Sequence, residues 1–185
     1  VASKSRICLL LMNVDSIIEE LCQPWRHGEH FDGRDLVFDE PLVLDGLTIR
    51  SFDFSMVTLR AGLSARNADF SGMAWLRHAR ISGHCDFSGA LFRNDLRADG
   101  LQAGKISISG GCFQGVLSLC RAELDDLLLD DALVLANLNL EQAQITGTID
   151  LSRAEIMGGL AAAGAHVGRF LDTGTDISGR IHPPD

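Results

Sequence analysis

The stretch that decides the fold is "AELDDLLLDDALVLANLNLEQAQITGTIDLSRAEI", residues 122–156. It is rich in leucine and aspartate, yet its apolar residues follow neither the 3.6-residue period of a helix nor the alternation of a half-buried strand. Similar triplets recur instead, namely Ala122-Glu123-Leu124, Ala132-Leu133-Val134, Ala143-Gln144-Ile145 and Ala154-Glu155-Ile156, with Leu127-Leu128-Leu129, Leu138-Asn139-Leu140 and Ile149-Asp150-Leu151 between them. An apolar residue therefore returns at every fifth or sixth position.

The same spacing extends from about Leu36 to Ile177, and every fourth apolar centre repeats at 21 or 22 residues. One set of centres is Ile49, Phe70, Phe92, Phe113, Val134, Ile156 and Ile177, and another is Phe38, Leu59, Ile81, Ala103, Leu124, Ile145 and Val167. Two residues before the centre, one side carries small residues (Ala68, Ala90, Gly111, Ala132, Ala154) and another carries large ones (Leu42, Leu63, Cys85, Ile106, Leu127, Ile149, Phe170). The sequence thus predicts a four-sided coil whose like sides stack ~4.8 Å apart, with phenylalanine ladders inside.

Six five-residue units carry a resemblance to a known family. They are "ADFSG" (68–72), "CDFSG" (85–89), "AELDD" (122–126), "AQITG" (143–147), "AEIMG" (154–158) and "TDISG" (175–179). These units resemble the pentapeptide-repeat family, whose units read roughly Ala-Asp/Asn-Leu-x-x. The resemblance implies an all-β solenoid, a right-handed quadrilateral β-helix of about six to seven coils. Many six-residue steps and the large residues on two sides predict a slightly irregular or wider coil.

The chain divides into three segments. Residues 1–30 are expected to form a capping helix and its connector, because the apolar spacing of residues 7–22 suits one amphipathic helix that ends before Pro24. Residues 31–180 form the predicted β-helix and residues 181–185 a tail. The helix can cover the first coil, with Leu10 and Leu11 among its apolar residues.

The last coil lacks a comparable lid, because only "SGRIHPPD" follows Ile177. Phe170, Leu171 and Ile177 are then open to an end-on contact, and open strand edges invite association. Many members of the pentapeptide-repeat family form dimers in which two rods pair end to end. We therefore predict a homodimer through the C-terminal coil.

Composition restricts the classes of partner. The net charge is −9 and the chain has only two lysines, Lys4 and Lys105, which argues against direct binding of nucleic acid. The five cysteines are odd in number and contain no Cys-x-x-Cys pair, which favours reduced thiols in the cytoplasm. No run approaches the ~18 apolar residues of a membrane span, and "KSRICLLLMNVDS" lacks the cleavage site of a signal peptide.

Residues that could carry chemistry stand alone. The pair His27 and His30 falls in the connector, and His84 falls at a corner beside an inward Cys85, so neither supplies the three or four converging ligands of a metal site. The outward carboxylates lie on different sides or successive coils without a cleft, and no nucleophile has an evident base. We expect a non-enzyme with no catalytic residue, cofactor or metal.

One surface feature is acidic. Residues 106–185 contain four arginines and eleven acids, a net of −7, while residues 50–105 contain eight basic residues and five acids, a net of +3. The acids are densest at Glu123, Asp125, Asp126, Asp130 and Asp131. Some pentapeptide-repeat proteins imitate DNA, bind type II topoisomerases such as gyrase and protect them from inhibitors. A solubilising surface is the favoured interpretation, because charge does not run the full length.

The other feature is apolar. On the side centred at Phe92, Phe113, Val134 and Ile156, the flanking outward residues are Leu91, Cys112, Leu133, Leu135 and Met157, which should lie above one another. A contiguous apolar stripe often marks an interface, whereas a local register slip would turn some of these residues inward. We predict a non-catalytic rod that binds a protein partner or itself.

Overall fold

Parallel pairing between segments 21 or 22 residues apart builds the molecule. The structure is a computed structural model and describes residues 13 to 184. Its strands form parallel sheets of 8, 10 and 7 members, and the chain winds through about 7 turns of a β-solenoid. Each turn visits four faces, which we number 1 to 4 in chain order. The predicted four-sided coil is confirmed.

Most strands have two residues, as a five-residue step with a corner at each end requires. Face 1 contains β1 (Phe31–Asp32), β5 (Phe52–Asp53), β9 (Ala74–Trp75), β13 (Leu96–Arg97), β16 (Leu117–Ser118), β19 (Leu138–Asn139), β22 (Leu160–Ala161) and β25 (Ile181–His182). Face 4 contains β4 (Thr48–Ile49), β8 (Asp69–Phe70), β12 (Leu91–Phe92), β15 (Cys112–Phe113), β18 (Leu133–Val134), β21 (Glu155–Ile156) and β24 (Asp176–Ile177).

Faces 2 and 3 merge in the second half of the rod. Face 2 begins with β2 (Val37–Phe38), β6 (Thr58–Leu59) and β10 (Arg80–Ile81), and face 3 with β3 (Leu42–Val43), β7 (Leu63–Ser64) and β11 (Cys85–Asp86). The later strands β14 (Gln102–Ser107), β17 (Glu123–Leu128), β20 (Gln144–Asp150) and β23 (His166–Leu171) run across both faces. Register shifts accompany β20 on both sides, because it holds one residue more than its neighbours at the bend. The extra residue of β20 corresponds to the six-residue step from Ile145 to Leu151 in the sequence.

The core is a stack of identical positions. Phe70 and Phe92 are parallel with ring centroids 4.3 Å apart, and Phe92 and Phe113 follow at 4.6 Å. Ala90 and Ala132, each two residues before a centre of face 4, are buried and leave room for these rings. The predicted ladder is confirmed, and its spacing is that of the backbone rungs.

Two of the four corners use a left-handed residue in every coil. After face 1 these residues are Asp35, Met56, His78, Gly100, Arg121, Gln142 and Gly164, and after face 3 they are Gly46, Asn67, Gly89, Gly110, Asp131, Arg153 and Gly174. The N–H of Gly111 donates to the carbonyl of Ile108 at 2.9 Å, which closes a β-turn with Gly110 at its third position. That position of a type II turn requires a positive φ.

The helix at the N-terminal end takes the place of a rung. It is α1 (Val14–Leu21), begins with the Asn13 side chain accepting from the Ser16 N–H at 2.9 Å, and buries Ile17 and Leu21. The carbonyl of Leu21 accepts from the Arg50 N–H at 2.9 Å. In later coils the equivalent N–H donates to the previous coil. The part of the predicted helix before residue 13, with Leu10 and Leu11, lies outside the described residues.

The C-terminal end is open within the described residues. The last rung extends to β25, inside residues 181–185, which the sequence predicted to be a tail. A cavity of about 630 Å³ opens there, lined by Leu151, Leu160, Phe170, Asp172, Thr175, Asp176, Ile177, Ile181, Pro183 and Pro184. Phe170, Leu171 and Ile177 are half-buried.

The phenylalanine ladder predicts a steep energetic contrast. Phe92→Ala or Phe113→Ala should lower the free energy of unfolding by ~3–5 kcal/mol, because each removes a fully buried ring from a stack that cannot collapse. Asp126→Ala should cost only about 1–2 kcal/mol, since it removes one charged hydrogen bond at a half-exposed corner. Denaturant unfolding measures both changes, and equal losses would contradict this account of the core.

The left-handed corners predict a contrast between two glycines. Gly110 has φ +64° and a Cβ there would meet no atom within 4 Å, so Gly110→Ala isolates backbone strain and should cost about 1 kcal/mol. Gly104 lies in β14 outside the left-handed region, where a Cβ would make contacts of 3.4 Å. Gly104→Ala should leave the unfolding midpoint unchanged or raise it. A Gly110→Ala variant as stable as wild type would show that the corners bear no strain.

Candidate protein-interaction surface

The apolar residues singled out on face 4 form one continuous patch, which we call the face 4 stripe: Leu91, Cys112, Leu133, Leu135 and Met157. Leu91 pairs in register with Cys112, and Cys112 with Leu133, so these three half-exposed side chains stack directly. Leu135 and Met157 occupy the neighbouring outward column and are 47% and 52% exposed. The stripe therefore spans two columns instead of the single one expected, and no register slip turns it inward.

The other faces differ from face 4 in their outward columns. On face 2, Arg80 Nε donates to Gln102 Oε1 at 3.1 Å, and Gln102 Nε2 donates to Glu123 Oε2 at 3.0 Å. Within residues 13–184, the remaining exposed large apolar residues, including Val37 and Met56, stand apart on different faces or corners. Leu135 and Met157 follow directly paired residues on adjacent strands, so they are neighbours.

The acidic cluster is divided between the outward column of face 2, which holds Glu123, and two corners, and it is engaged in contacts between coils. Asp125 and Asp126 lie at the bend between faces 2 and 3, while Asp130 and Asp131 lie at the corner between faces 3 and 4. The cluster's contacts are Glu123 with Gln102 Nε2 at 3.0 Å, Asp125 with Thr146 Oγ1 at 3.4 Å, Asp126 with the Thr148 N–H at 2.8 Å, Asp130 with Ser109 Oγ at 2.6 Å and Asp131 with Arg153 at 2.6 Å. These acids therefore stabilise the stacking of coils.

Asp126 has a specific structural role. The segment between Ile145 and Ile149 in β20 is one residue longer than the matching segment between Leu124 and Leu127 in β17. The Asp126 carboxylate accepts the Thr148 N–H within that longer segment. A carboxylate at this place satisfies a donor where the regular ladder is interrupted.

Three of the seven arginines of the basic half are paired with aspartates of the preceding coil. Arg60 lies 2.6 Å from Asp39, Arg66 lies 2.6 Å from Asp45, and Arg93 lies 2.7 Å from Asp69. Hydrogen bonds from the Arg66 side chain lower the pKa of Asp45, and Arg153 does the same for Asp131. Sequence reasoning missed these pairs, although an aspartate 21 to 24 residues before each arginine was their signal.

The residues considered for chemistry do not converge. Among residues 13–184 no group of three or more His, Cys, Asp or Glu side chains could hold a metal ion. His27 contacts Trp25 edge-on, His30 contacts Trp75, and His84 lies 3.6 Å from Asp86 at an exposed position. Cys85 is buried, and desolvation raises the pKa of its thiol.

A membrane-crossing helix is likewise not found among residues 13–184, where no helix has the required length and apolar character. Cys22, Cys85, Cys112 and Cys120 are free thiols in this part of the chain.

Comparison with known proteins concerns the fold. No protein-family model matches the chain, and no curated protein matches it. A solved structure that is similar is HetL, a pentapeptide-repeat protein involved in heterocyst differentiation regulation from the cyanobacterium Nostoc sp. strain PCC 7120. The identity is 20%, the match covers 89% of this chain and 94% of HetL, and the TM-score is 0.24. The strand pairing is that of a four-sided parallel β-solenoid of about 7 turns, which is the fold that the resemblance to the pentapeptide-repeat family implied.

Proposed function

We propose that this protein is a non-catalytic binding rod and that the face 4 stripe docks a protein partner. The supporting observation is the contiguity of five apolar side chains across four successive rungs of one face, on a molecule whose other outward columns are mainly polar. Single exposed leucines are common on protein surfaces, whereas contiguous patches mark interfaces.

The stripe is also held rigidly. The Leu133 N–H donates to the Gly111 carbonyl at 2.8 Å, and the Leu135 N–H donates to the Phe113 carbonyl at 2.8 Å. The residue between them, Val134, is fully buried. A surface whose backbone is already ordered loses little conformational entropy on binding, which favours its use in recognition.

Photo-crosslinking tests this proposal. A photoreactive phenylalanine at Leu135 or Met157, in cells that produce the protein, should capture one discrete protein. Asn139, on face 1 at the start of the next coil, provides the matched control position. Equal capture at Leu135 and Asn139, or no discrete product at either stripe position, would contradict docking on face 4.

The partner could also be a second copy, through the C-terminal coil. The half-buried Phe170, Leu171 and Ile177 and the cavity beside them support this contact, because end-on pairing would bury them. Light scattering at tens of micromolar should give about twice the chain mass of 20.0 kDa, and Leu171→Glu should return the mass to that of a monomer. A wild-type mass near 20.0 kDa would rule out the dimer.

The alternative function is DNA mimicry toward a type II topoisomerase such as gyrase. It is supported by the pairing of Arg60, Arg66 and Arg93 with aspartates, which leaves the acids of the second half to dominate the surface charge. It is opposed by the separation of the densest acids, with Asp125 and Asp126 at one corner and Asp130 and Asp131 at another, since duplex DNA presents continuous rows of charge.

A supercoiling assay with purified gyrase tests the alternative. Wild-type protein at micromolar concentration should alter supercoiling or quinolone action, and neutralising Asp125, Asp126, Asp130 and Asp131 together should weaken the effect and its salt dependence. Because Asp126 and Asp131 also bind neighbouring coils, circular dichroism must first show that the variant is folded. An inert wild-type protein would exclude this function for gyrase.

A further inference from the structure

The partner's chemistry is indicated by two carboxylates that continue the first column of the face 4 stripe. Glu155 pairs in register with Leu133 on one side and with Asp176 on the other, so the apolar column ends in two successive acids. Directly opposed like charges on neighbouring strands are unfavourable. Among the described residues neither carboxylate has an ion pair or side-chain hydrogen bond, and nearby Arg153 is bound to Asp131.

The other end of the stripe is neutralised. Beyond Leu91 the same column continues with Asp69, which receives two hydrogen bonds from Arg93 at 2.8 and 2.7 Å. The face thus has an apolar centre, a neutral end and an end with two uncompensated negative charges. A ligand that matches it carries apolar groups in a row and positive charge at one end only.

The spacing of the rungs distinguishes between kinds of peptide. From Leu91 to Met157 the stripe crosses three intervals of ~4.8 Å, about 14 Å in all. A helix places an apolar side chain on one side about every 5.4 Å and covers three intervals in about 16 Å. A strand places one about every 6.8 Å and would overshoot by about 6 Å. The helix fits the stripe and the strand does not.

We propose that face 4 binds an amphipathic α-helical segment of about three turns, with lysine or arginine at the end that lies beside Glu155 and Asp176. This inference rests on the proposed docking role of face 4. To that docking role it adds three properties of the partner, namely its helical structure, the spacing of its apolar side chains and the positive charge at one end.

Two synthetic peptides provide the test. Both are stapled, fluorescently labelled helices with leucines at i, i+4, i+7 and i+11, and they differ only in three lysines or three glutamates at one end. In fluorescence anisotropy, wild type should bind the lysine peptide about tenfold more tightly than the glutamate peptide, as two favourable charge contacts at a partly exposed rim allow.

Charge variants assign that preference to face 4. The double variant Glu155→Gln with Asp176→Asn should bind both peptides equally. The matched control, Glu40→Gln with Glu141→Gln, also removes two negative charges, but from exposed corners away from face 4, and should keep the tenfold preference. The control excludes a general attraction of lysines to a chain with net charge −9.

A measurement without peptide is independent of binding. Relief of the opposed carboxylates should raise the thermal unfolding midpoint of the Glu155→Gln, Asp176→Asn variant at low salt, and added salt should remove the gain. The Glu40→Gln, Glu141→Gln control should show a smaller gain. An unchanged midpoint would contradict the view that these carboxylates are uncompensated.

The remaining outcomes separate this inference from the docking proposal. If both peptides bind wild type equally and Leu135→Ser with Met157→Ser weakens both, face 4 is an apolar docking surface and the cationic partner is wrong. If neither peptide binds wild type, the helical partner is wrong, and crosslinking at Leu135 still decides independently whether face 4 docks a protein.

Discussion

The parallel hydrogen-bond ladder between coils is the constraint on which the rest of the structure depends. Each coil bonds only to the coil before and the coil after it, so a residue is always stacked on its counterpart 21 or 22 positions away. Because of this ladder, residues at equivalent positions of successive coils lie directly above one another and form a column. The stacked phenylalanines and the left-handed corners are such columns, and the face 4 stripe occupies two neighbouring columns.

The charged residues follow from the same constraint. An arginine on one coil and an aspartate on the coil before it lie a rung apart, close enough for the contacts of Arg60 with Asp39 and Arg66 with Asp45. Exposed pairs of this kind contribute little free energy individually. These pairs nevertheless neutralise several arginines of the basic half. The net charge counted over residues 50–105 therefore differs from the charge that this part of the surface presents to a partner.

The sequence predicted the four faces, the inward ladder and the stripe, because a spacing of five or six residues determines which side chains share a face. It did not predict left-handed backbone at Met56, Arg121 or Gln142, since the column and not the residue type imposes that conformation. Nor could it predict that Asp126 binds the Thr148 N–H, which depends on one extra residue in β20. The two-column stripe required the observed pairing of Val134 with Ile156.

The contact between α1 and the first coil has a consequence for how such a molecule changes in evolution. The Leu21 carbonyl accepts from the Arg50 N–H as the carbonyl of a preceding rung would. This contact involves only the first coil and does not depend on the number of coils that follow. Duplication or loss of one whole coil leaves the helix seat unchanged, whereas a change of a few residues would put every later column out of phase. In evolution the length of the rod is therefore expected to change by whole coils, and the length of a binding face changes with it.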